Sequence, residues 1–195
     1  MDEPRPDRPL WHYLLAAGAI VAAVAVVELA MGRVPVSRTG RLMLWNGVVA
    51  SAENSQQVTD WYSFSHVIHG IAFYGALHLL GRRLGWSLGL RLVIAVCIEA
   101  AWEVFENTPF TIERYRKATI ALDYYGDSIL NSVCDILCCV VGFVLAWKLP
   151  VWGSVAVVVL NEAFVGYMIR DNLTLNIIML IRPIEAIKRW QNGAG

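Results

Sequence analysis

The sequence predicts an all-α, polytopic transmembrane helical bundle of about five spans plus a C-terminal interfacial or re-entrant helix. Three observations predict it. Hydrophobic residues make up 57% of the 195 residues and charged residues only 16%, against about 25% charged in a soluble domain. Mean hydropathy is +0.51. Apolar runs long enough to cross a bilayer core of about 30 Å recur along the chain. Inside these runs the carboxylates keep helical spacing: Glu99, Glu103 and Glu106 follow i, i+4, i+7, and Asp127, Asn131 and Asp135 follow i, i+4, i+8, so each set makes one stripe. A carboxylate at bilayer depth costs several kcal/mol unless it is paired, protonated or bound to a cation. These positions are therefore the functional candidates. The net charge is zero, which suggests no nucleic-acid partner and leaves membrane lipids as the expected one.

Residues 1–9 are polar and proline-rich and read as a short disordered start; residues 10–195 read as one integral membrane domain. The first span covers residues 10–31, broken only by His12 and Glu28. Its charge-balanced start and long apolar core separate it from a secretory signal. Residues 32–60 form a polar loop, marked by Gly, Pro and Ser, in which residues 51–57 either line the mouth of a site or are solvated. Span two covers residues 61–80, with Asp60 as its expected N-cap, and carries His66 and His69 on one face. Gly81-Arg82-Arg83 closes it. Span three covers residues 90–106 and ends at Thr108-Pro109. The charged connection 110–126 holds Arg114 and Arg116, with Tyr124 and Tyr125 as interfacial anchors. Span four covers residues 127–147, and span five residues 151–169, with Asn161 and Glu162 near mid-depth. Residues 173–181 are short for a crossing. Ile184, Ile187 and Trp190 then face one way, as in an interfacial amphipathic helix; a steeply packed sixth span is the alternative. Cys97, Cys134, Cys138 and Cys139 all sit in apolar runs and read as small packing residues, not as a disulfide framework.

Alternating spans bring the polar residues together. Arg82, Arg83, Arg91 and Lys148 fall on the side of the N-terminus, which the positive-inside rule makes cytoplasmic. His66, His69, the three glutamates, Asp127, Asn131, Asp135, Arg170, Asp171 and Asn172 then share the outer half of the membrane. Two imidazoles with several carboxylates suit zinc or another divalent metal. In that reading His66, His69 and Glu106 are ligands, and Glu103, Asp127 and Asp135 carry acid–base chemistry on a metal-activated water. Arg114, Arg116, Asn131, Arg170, Asp171 and Asn172 bind a lipid or lipid-linked headgroup, the arginines clamping phosphate. Two other functions fit the same residues: a structural or assembly protein whose polar cluster only holds helices together, and an ion or proton pathway.

The segments LWNGVVASAENSQQVTDWYSFSHVIHG, EAAWEVFENTPFTIERYRKATIALDYYGDSILNSVCD and VGYMIRDNLTLNIIMLIRPIEAI resemble a family of uncharacterised bacterial inner-membrane proteins, over most of the chain from residue 31 onward. The resemblance implies an inner-membrane location and no particular activity. More distantly, the order of motifs is similar to VanZ-like membrane proteins. They have a His-bearing helix, a Glu-bearing helix, then a basic stretch before Asp-x-x-x-Asn, here matched by His66 or His69, Glu99 or Glu103, Arg116, and Asp127 with Asn131. That similarity implies an envelope-facing role.

Overall fold

A computed structural model describes residues 8–119 and 123–193. Most of the expected disordered start, residues 1–7, lies outside the described residues. Eight helices follow in order: α1 (Leu10–Ala30), α2 (Ser63–Leu84), α3 (Leu88–Glu106), α4 (Pro109–Ala118), α5 (Ile129–Lys148), α6 (Val151–Ile169), α7 (Leu173–Ile181) and α8 (Glu185–Gln191). Among the described residues no strand occurs, only an isolated bridge between Asn46 and Asp60. The all-helical expectation holds.

Among the described residues three helices, α1, α5 and α6, are long and apolar enough to cross a membrane, which is consistent with a membrane protein. The expected five spans thus reduce to three by length and composition. The reason is the polar load of the other two: α2 carries three histidines with Arg82 and Arg83, and α3 carries Arg91 and three glutamates.

Helix α2 makes its most extensive packing with α5, and glycines decide how close the two come. A Cβ on Gly142 would lie under 3.0 Å from the Val67 carbonyl oxygen, and one on Gly70 under 3.0 Å from that of Cys139. The two backbones meet directly, as small residues allow in apolar helix pairs. Around this pair α1 and α3 pack through Val24, Val96, Ala100 and Ile136. Leu77, Ala95 and Phe143 close the far end.

Several boundaries differ from the sequence reading. Helix α2 runs on through Arg82 and Arg83 to Leu84 and stops at Gly85, whose φ of 66° is the left-handed stop that favours glycine. Asp60 does not cap α2; its carboxylate accepts from the backbone N–H of Tyr62 at 2.8 Å and of Ser55 at 2.9 Å. The connection after span three contains a helix, α4. Thr108 accepts from Thr111 N–H and Pro109 stands at the first position, both strong starts. Helix α5 begins at Ile129 with Ser128 as N-cap, which leaves Asp127 outside the helix.

Candidate functional site

His66 sits in the second turn of α2 and points at α3 and α5. Its Nδ1 is 2.5 Å from Glu99 Oε1 and 3.2 Å from Glu103 Oε1, and its Nε2 is 3.7 Å from Asp135 Oδ2. His69, one turn on, places Nδ1 3.1 Å from both oxygens of Glu99. Glu99 therefore bridges both imidazoles. Asp135 also accepts from Ser63 Oγ at 2.8 Å. Glu103 differs: it is 0% exposed, and neither carboxylate oxygen has a hydrogen-bond partner among the described residues.

Asn107, at the C-terminal end of α3, ties the next layer together. Its Nδ2 lies 3.2 Å from Glu28 Oε1, 3.3 Å from Asp127 Oδ2 and 3.2 Å from Ser132 Oγ. Its Oδ1 accepts the Asp127 N–H at 2.8 Å. Tyr124 donates to Asp127 at 3.0 Å and stacks edge-on against Tyr115, which donates to Glu106. Tyr124 is thus a buried partner of the site and not the interfacial anchor expected. Nothing in helical periodicity marks Asn107, because it lies where the helix stops. Replacing Asn107 with Leu strands the Glu28 and Asp127 groups, so a loss of about 1–3 kcal/mol is expected, read as a lower melting temperature in detergent. Wild-type stability would refute this role.

Two cavities that share part of their lining reach these residues. A chamber of about 30 Å³ is lined by Asn54, Ser55, Tyr62, His66, Glu106, Tyr115, Tyr124, Asp127 and Asp135. That volume admits one or two water-sized species. Tyr62, His66, Glu106 and Tyr115 also line a groove of about 500 Å³ between α2, α3 and α7, whose other walls include Phe73, Ile98, Trp102, Phe105, Ile177 and Leu180. Ligand-sized atoms of His66, His69 and Glu99 lie within 4.8 Å of one another, and so do those of His66, Glu103 and Glu106.

A family model described as a protein of unknown function, DUF2585, matches residues 28–193. The chain belongs to this family. Among its relatives are UPF0314 proteins of Rhizobium meliloti (strain 1021), 52% identical over 192 residues covering 98% of this chain and 95% of the relative, and of Paracoccus denitrificans (strain Pd 1222), 51% identical over 187 residues covering 96% and 94%. A UPF0314 protein of Novosphingobium aromaticivorans is 51% identical over 182 residues, covering 92% of each. No solved structure matches the chain. These matches lend no support to the more distant likeness to VanZ-like proteins.

In this DUF2585 chain, none of the six residues expected to bind a headgroup lines either cavity. Asn131 holds the loop, donating to the Gln57 carbonyl at 3.0 Å. Arg114 bonds the Leu180 and Ile181 carbonyls at 2.7 and 3.2 Å and so satisfies the C-terminal end of α7. Arg116 bonds the Tyr124 carbonyl, and Arg170 the Trp190 carbonyl at 3.0 Å. None of the three arginines lines either cavity. Asn172 caps α7 by accepting from Leu175 N–H. Glu162, read as a mid-depth oddity, accepts the Leu173 and Thr174 N–H groups at 3.0 and 3.1 Å. An anion thus holds one end of α7 and a guanidinium the other, each matching the helix dipole.

Asp171 is a hub between α6 and α7. Burial pushes its carboxyl up to about 6, against the hydrogen bonds from Asn172 N–H, Asn176, Tyr62 and Gln191 that pull it down. A carboxyl raised on folding adds stability below its unfolded value near 3.8, and that contribution is lost as pH rises through about 6. Asp171→Asn is therefore expected to flatten the dependence of melting temperature on pH between about 4 and 7. A variant curve parallel to wild type would contradict this.

Proposed function

We propose that the chain is a bacterial inner-membrane protein crossing five times, through α1, α2, α3, α5 and α6, with a cytoplasmic N-terminus. In this reading its outer half holds a divalent-metal site that hydrolyses an ester or phosphoester in the headgroup of a lipid or envelope precursor. The observation that carries it is Glu103. A buried carboxylate whose two oxygens lack hydrogen-bond partners is rare, and a bound cation between it and His66, 3.2 Å away, would offset its burial. Glu103 stands within ligand distance of His66 and Glu106, and both of these line a small chamber and a neighbouring apolar groove.

Glu103 takes the ligand place that the sequence gives to His69. Glu99 is saturated by the two imidazoles, so it acts as the outer partner that orients His66, an arrangement common around metal-bound histidine. His66, Glu103 and Glu106 would hold the divalent cation, which would supply Lewis-acid polarisation of a substrate oxygen and a more acidic water. The chamber is too small for a headgroup, so the headgroup lies at the junction, against Tyr62 and Tyr115. There the tyrosine hydroxyls, whose protons go to Asp171 and Glu106, accept hydrogen bonds from it. Asp135, fixed by Ser63, would take the proton as water attacks and return it to the departing oxygen as the ester bond breaks.

A scaffold reading has one observation in its favour: Asp171, Asn107 and Asp127 are all satisfied internally and would hold helices together with no ligand. Metal content separates the two. Full-length protein purified in detergent with divalent metal in the buffer is expected to retain metal near one equivalent by mass spectrometry, and Glu103→Gln to lose most of it while staying folded. Metal-free wild type beside an equally stable Glu103→Gln protein would overturn the proposal in favour of the scaffold.

A further inference from the structure

The character of the two cavities limits what can sit in them. Neither is lined by lysine or arginine, and the three arginines nearest in sequence to the site are spent on backbone carbonyls. The cationic groups that line the cavities are the imidazoles of His66 and His69, and both already face Glu99; Arg33 reaches the Tyr125 carbonyl beside Gly126 and lines neither cavity. The polar end is instead made of carboxylates and tyrosines: Glu106, Asp127, Asp135, Tyr62, Tyr115 and Tyr124. Ionised carboxylates only accept hydrogen bonds, and a like charge placed against them is repelled. A phosphate has no side-chain clamp here.

The apolar end limits the chain. The groove runs back along α3 from Glu106 to Ile98, just over two turns or about 12 Å at 1.5 Å per residue. Its volume of about 500 Å³ is that of a site for one small ligand. Helix α7 forms the opposite wall and is pinned at both ends by Glu162 and Arg114, so the groove does not depend on a ligand to open it. Ile177 and Leu180 of α7 face Phe105 and Trp102 across it.

We propose that the occupant is an amphiphile whose headgroup is uncharged or cationic and rich in hydrogen-bond donors, hydroxyl or ammonium, with its apolar part between α3 and α7. This rests on the site being a ligand site, as proposed above, and narrows its substrate to esters of such amphiphiles in place of phosphoesters. Hydroxyl and ammonium donors meet the same acceptors, so the probes separate them.

Native mass spectrometry of the full chain, offered equal amounts of dodecyl glucoside, dodecylammonium and dodecyl phosphate, reads amphiphile and metal in one spectrum. A single bound copy of the glucoside or the ammonium is expected, at least tenfold over the phosphate. Ala101→Trp, which fills the groove from α3, is expected to abolish that adduct, and Leu180→Trp fills it from the opposite wall should the first variant melt early. A dominant phosphate adduct overturns the proposal, as do equal adducts that the filled groove leaves unchanged. Metal without amphiphile preference removes the ligand class and spares the metal site. Amphiphile preference without metal does the reverse.

Discussion

Gly142→Val is expected to lower the melting temperature by about 10 °C or more. The added side chain meets the Val67 carbonyl of α2, a backbone atom that cannot swing aside. Overpacking of this kind costs about 3 kcal/mol or more where nothing can relax, and a chain of this size loses roughly 2–4 °C per kcal/mol. The close approach is reciprocal, Gly70 of α2 lying against the Cys139 carbonyl of α5, so pushing the helices apart at one glycine opens the contact at the other. His66 is the neighbour of Val67, and Asp135 lies one turn before Cys139. The same displacement therefore widens the gap between His66 and Asp135. Gly75→Ala is the control, because no atom lies within 4 Å of its added Cβ; it is expected to be neutral or slightly stabilising, since alanine favours helix over glycine. A Gly142→Val protein that melts like wild type would show that α2 and α5 do not meet backbone to backbone.

His66→Ala is expected to remove bound metal altogether, and Glu99→Gln to weaken it by about 10–100-fold, the range for losing an outer partner of a metal-bound histidine. His66 belongs to both groups of atoms able to hold an ion, so no alternative set survives its loss. Glu99 orients the ring and is not needed as a ligand when Glu103 and Glu106 supply the oxygens. A titration against a competing chelator measures both variants on one scale. Metal affinity equal to wild type in His66→Ala would end the metal reading. An order reversed between the two variants would move the ion to the His66, His69 and Glu99 group instead.

Much of the fold was legible because it rests on local chemistry. The apolar run at 151–169 coincides with α6, bounded by Pro150 before it and Arg170 after it. The stripe Glu99, Glu103, Glu106 lies on one face of α3 as its spacing requires, and the reversal of direction between successive helices does bring His66, Glu103 and Asp135 to one place. The helix α4 was missed, although Thr108-Pro109 is both a stop for α3 and a start for the next helix. The role of Asn107 was missed because polar residues at a helix end look like ordinary punctuation.

What the sequence determined by itself is therefore the helical class, the apolar segments, the carboxylate and histidine faces, and their gathering at one end. Each follows from hydropathy and from a repeat of 3.6 residues, which act within one helix. Only the tertiary structure decided which members of a stripe are satisfied and which are left open. Glu99 and Glu103 are one turn apart and equivalent by periodicity, yet one bridges two imidazoles and the other has no hydrogen-bond partner among the described residues. The same holds for Arg114, Arg116 and Arg170, which a linear reading places beside a phosphate and the fold commits to carbonyls. The physical reason is that a side chain's partner is set by how each helix is rotated and how closely it approaches its neighbours, and glycine contacts between distant parts of the chain control both.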